Sequence, residues 1–403
     1  MSHHDVLGID LTAQAVLDDP HPTYGRIRER HPVYWNASLK GWVVTRYDNV
    51  RAGLRDQRLS VEKLEPYAAR RGETDVLSRA LMDWMVFKDP PRHDVLRAAM
   101  QRAFLARDIP TLAPQIKARV DELLDPLVSR GRMELVDDFA YPLPATVISD
   151  LFGLPREEAG QLKSWSDDLG RFVLDSVDVP DRHSRAAVAM GAMVERFRAL
   201  VADHRRTPRD DFTTILLRDG DALTDDEIVH TMTLVLFAGH ETTTNLIASA
   251  VLTMIRNPAI YRELEETPDL LDDAVEEILR YAGPVQTVLR IATEDMVIGE
   301  KAIAEGERVF LVLNAANRDH RVFEQPDEVR LNRGRTRHVS FGPGVHFCLG
   351  APLARLEAKL ALEGLLSRVS DLELTEEHIA YRSELIIHGP KRLPIAFRPR
   401  ACG

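Results

Sequence analysis

The residue with the most distinctive chemistry is Cys348, which lies in the glycine-rich stretch F-G-P-G-V-H-F-C-L-G at residues 341–350, hereafter the cysteine loop. The glycines and the proline favour a tight backbone, and the apolar spacing over residues 351–360 predicts an amphipathic helix directly afterwards. The free N–H groups and the positive dipole end of that helix favour a thiolate over a thiol. Such a thiolate is either a nucleophile or a metal ligand.

Two plainer interpretations compete with a reactive thiolate. A lone cysteine is usually a small buried hydrophobe, and a glycine-rich loop before a helix often binds phosphate. The phosphate interpretation is weak because neither Gly-Lys-Ser/Thr nor Gly-x-Gly-x-x-Gly occurs at the loop.

The pattern Phe-Gly-x-Gly-x-His-x-Cys-x-Gly resembles the haem-binding loop of the cytochrome P450 superfamily, and every fixed position is filled. The resemblance implies that Cys348 is the axial thiolate ligand of the iron in haem b, a ligand that favours O–O cleavage. It also implies that Phe341, Gly342 and Gly350 help to bind the cofactor.

A second motif lies in a predicted long helix at about residues 224–256, which a capping box at its start supports. Its centre reads Ala-Gly-His-Glu-Thr at residues 238–242. The glycine costs about 1 kcal/mol relative to alanine inside a helix. One interpretation is a helix crossing point that is packed through small residues.

The same five residues resemble the oxygen-binding groove of the P450 superfamily. The resemblance implies that Ala238 and Gly239 let haem and O₂ approach the helix. It assigns catalysis to Glu241 and Thr242, an acid–alcohol pair that conducts protons.

Further cofactor contacts follow from the motif Asp-Pro-Pro-x-His-x-x-x-Arg at residues 89–97. His93 and Arg97 lie four apart on one helix face, where they form a solvated pair in the simplest interpretation. In the family they hold a haem propionate, which the guanidinium fork fits well. Arg290 and His338 also match propionate-binding positions.

Glu277-x-x-Arg280 is, taken alone, one of the commonest exposed helix pairs. Here it resembles the buried Glu-x-x-Arg of the family, with Arg333 as third member of a structural network that supports the cysteine loop. Val329 departs from the pattern, since an aromatic residue is common there.

The resemblance also places a substrate pocket. Nearly all of the matching positions are apolar, which predicts a hydrophobic substrate such as a terpenoid, polyketide or fatty acid, with Gln286 able to give one oriented hydrogen bond. Several of them are ordinary core residues in the alternative interpretation. They are Met85, Val86, Phe172, Leu234, Phe237, Ala238, Gln286, Val288, Ile386 and Ile387.

Composition limits the classes of function. The chain has 403 residues, 44% hydrophobic residues and a net charge of −11, so nucleic acid is not expected as a partner. Its two cysteines, Cys348 and Cys402, cannot build a disulfide framework, and we expect a cytoplasmic protein. Cys402 is expected to be exposed and incidental. No signal peptide or membrane span is predicted.

Successive helical patterns with a few strands predict a mainly α fold with a smaller β region. Without repeats or low-complexity linkers, we expect residues 1–403 to form a single cytochrome P450 domain. Family analogy makes residues 60–88 a variable loop over the pocket, 175–181 part of a lid and 383–390 a C-terminal hairpin.

The predicted function is therefore a monooxygenase that inserts one atom of O₂ into a hydrophobic small molecule. Electrons would come from NAD(P)H through ferredoxin reductase and ferredoxin, because the chain has no flavin-binding or nicotinamide-binding segment. Arg355 is a candidate for the ferredoxin-docking surface, or a solvated arginine. We expect a monomer.

Two other haem-thiolate functions remain open. A peroxide-driven peroxygenase is disfavoured because family members of that type replace the pair that Glu241 and Thr242 retain. A haem sensor without turnover would not need a proton-delivery groove.

Overall fold

The computed structural model describes residues 5–64, 75–106, 108–174, 181–218, 222–334, 336–381 and 384–400. Helices dominate and the β region is smaller, which confirms the predicted fold class. The chain divides into two compact units. The first unit comprises Met1–Leu59, Lys117–Leu143 and Thr242–Gly403, and the second comprises Ser60–Ile116 and Pro144–Glu241.

The two helices whose positions were predicted are present as Asp225–Arg256 and Ala351–Arg368. Helix ends depend on their capping residues and vary by a residue or two. The α-helices of at least five residues are Gln14–Asp18, Pro20–Arg30, Tyr47–Gly53, Val76–Asp83, Arg92–Ala106, Ala113–Val128, Pro142–Phe152, Ala159–Val173, Arg182–Arg206, Phe212–Arg218, Asp225–Arg256, Pro258–Glu266, Leu271–Ala282 and Ala351–Arg368.

Among the described residues, the main sheet has five strands. Val33–Asn36 pairs antiparallel with Gly41–Val44, which pairs parallel with Arg308–Val312. Arg308–Val312 pairs antiparallel with Thr287–Ala292, and the two-residue strand Leu59–Ser60 completes the order. Apolar side chains from both faces of this sheet enter the core of the first unit.

Two smaller sheets were not predicted. Pro394–Pro399 pairs antiparallel with both Arg132–Glu134 and Val369–Leu374, and Met296–Ile298 pairs with Lys301–Ile303.

The predicted C-terminal hairpin is irregular: Tyr381 and Pro390, near its two ends, form an antiparallel bridge. Within the described part of residues 383–390 there is no strand, and only isolated bridges occur, Val285 with Ile387 and Tyr381 with Pro390. Residue 383, most of the predicted lid (175–180), residues 65–74 of the predicted pocket loop, and Cys402 lie outside the described residues.

In the second unit, aromatic side chains pack the core around Phe212. Phe152 and Phe104 both contact Phe212 edge-on, with ring centroids 5.6 and 5.1 Å away. His204, fully buried, bonds Asp211 through Nε2 at 2.6 Å, and Asp211 also accepts from the backbone N–H of Thr214 at 2.9 Å. These contacts join four helices of the unit.

No helix among the described residues is long and apolar enough to cross a membrane.

Candidate functional site

The cysteine loop needs its glycines. Gly342 and Gly344 have φ values of +65° and +94°, which residues with side chains rarely adopt. A Cβ on Gly344 would also lie 2.9 Å from the carbonyl oxygen of Leu54. The loop closes when the Cys348 N–H donates to the carbonyl oxygen of Phe341 at 2.9 Å. This geometry brings the half-buried Cys348 to the start of helix Ala351–Arg368.

The donor set at Cys348 fits a haem iron better than a metal held by protein alone. The described residues contain no group of three or more His, Cys, Asp or Glu side chains that could hold a metal ion. A single soft thiolate at a helix N-terminus would suit the iron of a porphyrin, which supplies its own nitrogen ligands.

The long helix, Asp225–Arg256, opens with the predicted capping box. The Thr224 hydroxyl accepts from the Glu227 N–H at 3.2 Å, and the Glu227 carboxylate accepts from the Thr224 N–H at 2.9 Å. From Ile228 to Met254 every residue is buried except Ala238, Gly239 and Thr242. Ala238 and Thr242 lie four apart, so an otherwise buried helix has one accessible face at its centre.

Gly239 has a packing reason of its own. A Cβ at this position would lie 2.6 Å from Cδ1 and 2.8 Å from Cγ1 of Ile148, on helix Pro142–Phe152. The crossing-point interpretation therefore accounts for the glycine without any ligand.

Glu241 is buried, with 5% of its surface exposed, and Thr242 next to it is half-buried. His240 is also buried, and burial lowers the pKa of its imidazole. Its Nδ1 donates to the carbonyl oxygen of Leu236 at 2.6 Å. The carboxyl group and the hydroxyl thus follow each other along the helix at the edge of the accessible face.

The predicted propionate ligands are distributed over both units. In the second unit, His93 is buried, bonds Asp94 through Nδ1 at 2.9 Å, and lies one helical turn before the half-buried Arg97. In the first unit, Arg290 is 8% exposed and donates to the carbonyl oxygen of Leu289 at 3.0 Å.

His338 uses both ring nitrogens within the protein. Nδ1 accepts from the Ser340 N–H at 3.3 Å, so Nε2 carries the proton that is donated to Glu276 at 3.2 Å. The Glu276 carboxylate also accepts two hydrogen bonds from Arg355, at 2.5 and 3.1 Å. The Arg355 guanidinium lies 4.5 Å from the centre of the Phe341 ring. Burial alone would raise the pKa of Glu276, but the hydrogen bonds from His338 and Arg355 hold it at about 2.

Sequence reasoning did not find Glu276. The one available indication was that Glu276 directly precedes Glu277 in the sequence. Consecutive residues of a helix point in different directions, so Glu276 had to face neighbours other than those of Glu277. In the structure it connects the helix Leu271–Ala282 to Arg355 and to the aromatic ring that opens the cysteine loop.

Glu277, Arg280 and Arg333 form one network. Arg280 donates to both carboxylate oxygens of Glu277 at 2.8 Å, and Arg333 Nε donates to Glu277 at 2.8 Å. Arg280 and Glu277 are 0% and 1% exposed, so the exposed-pair interpretation does not apply.

Six predicted pocket residues belong to the second unit, and one of them is Ala238 on the accessible face of the long helix. Met85, Leu234 and Phe237 are buried, Phe172 is half-buried, and Val86 is 39% exposed. Trp84, which the prediction omitted, stacks on Phe237 with ring centroids 5.4 Å apart. Its indole N–H donates to Thr233 at 3.0 Å, and the adjacent Asp83 bonds His230 at 2.7 Å. Segment 83–87 is thereby attached to the long helix.

The other pocket candidates belong to the first unit and lie together. The Gln286 N–H donates to the carbonyl oxygen of Ile386 at 2.7 Å, and Val285 bridges to Ile387. Gln286 is fully buried and its Oε1 has no partner among the described residues, so it can accept one hydrogen bond. Val288 packs against the core of the unit, as in the alternative interpretation.

The chain is similar to known proteins over almost its whole length. The family model described as "Cytochrome P450" matches residues 61–393. Cytochrome P450 107B1 of Saccharopolyspora erythraea is 39% identical, with 98% of each chain covered. The biotin biosynthesis cytochrome P450 of Bacillus subtilis is 37% identical, with 94% of this chain and 97% of the relative covered.

A solved structure agrees with this result. P450BioI, crystallised in complex with acyl carrier protein ligated to hexadec-9Z-enoic acid, superposes with a TM-score of 0.91 at 36% identity, covering 96% of this chain and 99% of that one. The residues that the family model matches include the cysteine loop and the long helix. The chain therefore belongs to the cytochrome P450 family, and it is a P450 monooxygenase.

Proposed function

We propose that residues 1–403 act as one catalytic domain that hydroxylates or epoxidises a hydrophobic small molecule with one atom of O₂. The observation that carries the proposal is the cysteine loop, whose glycine geometry brings Cys348 to a helix N-terminus. Haem b, when bound, supplies the activation of O₂. Cys348 would hold its iron, and His93, Arg97 and Arg290 would hold its propionates. His338, which was predicted for the same role, already bonds Ser340 and Glu276.

The accessible face of the long helix supports the assignment of proton delivery to Thr242 and Glu241. The Thr242 hydroxyl can both accept and donate a proton. Glu241, directly before it in the helix, carries a carboxyl group that can pass protons onward. Thr242 lies on the accessible face and Glu241 is buried directly before it, so the pair can pass protons to a molecule bound at that face.

Replacement of Thr242 by alanine tests this role. We expect Thr242→Ala to keep haem content, substrate binding and NAD(P)H consumption close to those of the parent, while most of the reducing equivalents leave as hydrogen peroxide instead of product. The measurement is the ratio of product to NAD(P)H consumed, with peroxide quantified in parallel. Thr243→Ala is the matched control, since it removes the same hydroxyl from a buried neighbour. If both variants formed the same amount of product per NAD(P)H consumed, proton delivery would have to be assigned to another group.

The substrate class follows from the apolar candidates and from the relatives. P450BioI binds a fatty acyl chain on its carrier protein, and in this chain Met85, Phe237 and Ile387 are apolar as well. We infer a substrate with an extended apolar part, such as a fatty acid or polyketide. Hexadec-9Z-enoic acid is expected to shift the haem absorption band in a binding titration. If neither this acid nor other long-chain acids shifted the haem absorption band, fatty acids would be excluded as substrates.

Electrons are proposed to come from NAD(P)H through ferredoxin reductase and ferredoxin. Arg355 is a poor docking residue because Glu276 already compensates its charge, and Lys359 on the same helix is paired with Asp272 at 2.7 Å. Other basic residues lie beside the loop. Arg55 packs next to Gly344, where an added Cβ would lie 3.5 Å from the Arg55 Cα.

Arg55 has two basic neighbours. Tyr47, whose hydroxyl donates to the carbonyl oxygen of Arg337 at 2.6 Å, is near Arg51 and Arg55 as well. All three arginines are exposed, and no ion pair involves them among the described residues. Together they form a basic surface, in contact with the cysteine loop through Arg55, that suits an acidic ferredoxin.

Charge reversal at Arg55 tests this surface. Arg55→Glu is expected to slow reduction by ferredoxin by about tenfold at low salt and to flatten the salt dependence, because attraction becomes repulsion. Reduction by dithionite should stay normal. Arg30→Glu, at an exposed position on helix Pro20–Arg30, is the control. Identical ferredoxin kinetics in the two variants would place docking elsewhere.

A further inference from the structure

The first unit contains a cavity of about 710 Å³ that none of the site residues above lines. Helix Pro20–Arg30, the C-terminal part of the long helix, the end of helix Leu271–Ala282, and segments within 314–318 and 377–381 contribute to its walls. Its volume lies within the range of small-molecule sites, about 300 to 1,000 Å³.

Two cations lie in the inner wall. Arg28 and Arg318 are each 7% exposed. Arg28 donates to the carbonyl oxygen of Ala315 at 2.9 Å, and Arg318 donates to that of Tyr281 at 2.8 Å and lies 3.9 Å above the Tyr281 ring. These neutral partners orient both guanidinium groups without neutralising them.

The acidic groups are at the rim. The carboxylates among the described lining residues are those of Asp18, Asp19, Asp327 and Glu377, and each is exposed or half-exposed. Asp327 pairs with Arg318 at 3.1 Å, but its side chain is 71% exposed, so water screens the pair. The inner wall therefore carries buried positive charge without a buried anion, which is costly unless a counterion is supplied.

Three histidines line the cavity, and none of them can supply that counterion, because an imidazole carries no negative charge. His378 is exposed, whereas His21 and His388 lie deeper. Burial, together with the charges of Arg318 and Arg28, holds the pKa of His21 well below its usual range. Burial also lowers the pKa of His388, whose ring stacks on Tyr381 at 4.7 Å. Both rings are neutral near pH 7, and each can donate an N–H.

Asn314 adds an acceptor to the same wall. Its side chain is 1% exposed and donates to the carbonyl oxygen of Gly283 at 3.1 Å, but its Oδ1 has no partner among the described residues. Arg28 Nε likewise has no hydrogen bond and lies 3.6 Å from the half-exposed Glu29 carboxylate. Buried polar atoms of this kind are normally paired. A ligand that matches both atoms has an anionic oxygen and a hydrogen-bond donor.

We propose that this cavity is a second binding site, separate from the monooxygenase site, for a small oxyanion that also carries a donor, such as a hydroxycarboxylate or a hydrogen phosphate group. Arg28 and Arg318 attract the anionic oxygens, and Asn314 Oδ1 accepts from the donor.

Calorimetric titration of the haem-loaded, full-length protein tests the site. The probes are inorganic phosphate and citrate, each against sodium chloride at the same ionic strength. We expect at least one of the two to bind with a dissociation constant about tenfold or more below that of chloride, as charge-assisted hydrogen bonds imply. Tighter binding of phosphate would identify the ligand as a phosphate, and tighter binding of citrate would identify it as a hydroxycarboxylate. If neither binds better than chloride, the proposal is wrong.

Variants locate the binding. Arg28→Gln should weaken it about tenfold or more, whereas Arg30→Gln, the same change at an exposed position of the same helix, should leave it unaltered. Asn314→Asp, which places a carboxylate in the inner wall, should abolish it and serves as the second variant if Arg28→Gln unfolds. Parent-like affinity in Asn314→Asp, or in a folded Arg28→Gln, would overturn the assignment.

Discussion

Cys348→Ser is expected to remove the red-shifted Soret band of the ferrous carbonyl complex and all monooxygenase turnover. Serine keeps the backbone N–H that donates to Phe341 and nearly the same volume, so the cysteine loop should retain its conformation. Its hydroxyl, however, is not ionised at neutral pH and cannot replace a thiolate as a strong electron donor. Absorption spectra of the dithionite-reduced, carbonyl-bound protein measure the change directly.

The chain supplies a matched control, since its only other cysteine is Cys402. Cys402→Ser should keep both the band and the turnover of the parent. Circular dichroism and haem content separate loss of the ligand from loss of the fold. A red-shifted band in folded, haem-loaded Cys348→Ser would show that another residue is the axial ligand.

The parts of the protein that could be predicted from sequence are those in which local chemistry decides the structure. The cysteine loop depends on glycines that adopt positive φ, and Gly342 and Gly344 do so at the positions that the pattern marks. The start of the long helix depends on a reciprocal cap between Thr224 and Glu227, and both hydrogen bonds form. Short-range rules cover such features, because partners lie within a few residues of each other.

Features decided by contacts distant in sequence could not be predicted. The sequence alone left two explanations for Gly239, and only the structure shows Ile148 against its Cα. Similarly, Arg355 looked like a free cation for docking until Glu276 was found beside it. A side chain's partner on another helix leaves no pattern in its own segment.

The missed sheet has a related cause. After the buried Val369, the strand Val369–Leu374 alternates half-buried with exposed residues, which is only a weak strand signal. Arg132–Glu134 has only three residues, and its pairing with Pro394–Pro399 joins segments that are far apart in the chain. The weak alternation was not enough to predict the sheet without knowledge of the partner strand.

Arg280→Leu is expected to destabilise the protein by about 3 to 5 kcal/mol, the usual cost of breaking a buried ion pair by removing one partner. Arg280 is fully buried and donates to Glu277 twice and to the carbonyl oxygens of Asn317, Pro326 and Glu328 at 3.0, 2.8 and 2.9 Å. Leucine would leave the Glu277 carboxylate buried with less compensation and three carbonyl groups without this donor. Because whole domains are stable by only about 5 to 15 kcal/mol, we expect low yield and loss of haem.

Urea denaturation followed by far-ultraviolet circular dichroism measures the free energy of unfolding. Arg280→Lys refines the test: it keeps the charge but cannot form the two-pronged contact with Glu277 together with the contacts to the loop, so it should recover only part of the stability. Arg330→Gln is the control, because the Arg330 side chain is more exposed. Among the described residues this side chain bonds Gln325 and lies 3.8 Å from Glu324. The contact of Arg330 with Glu277 is made by its backbone N–H, which the substitution keeps. That change should cost about 0.5 kcal/mol or less. If Arg280→Lys were as stable as Arg330→Gln, a positive charge alone would suffice at residue 280, and the geometry of the guanidinium would not be what connects helix Leu271–Ala282 to residues 317–328.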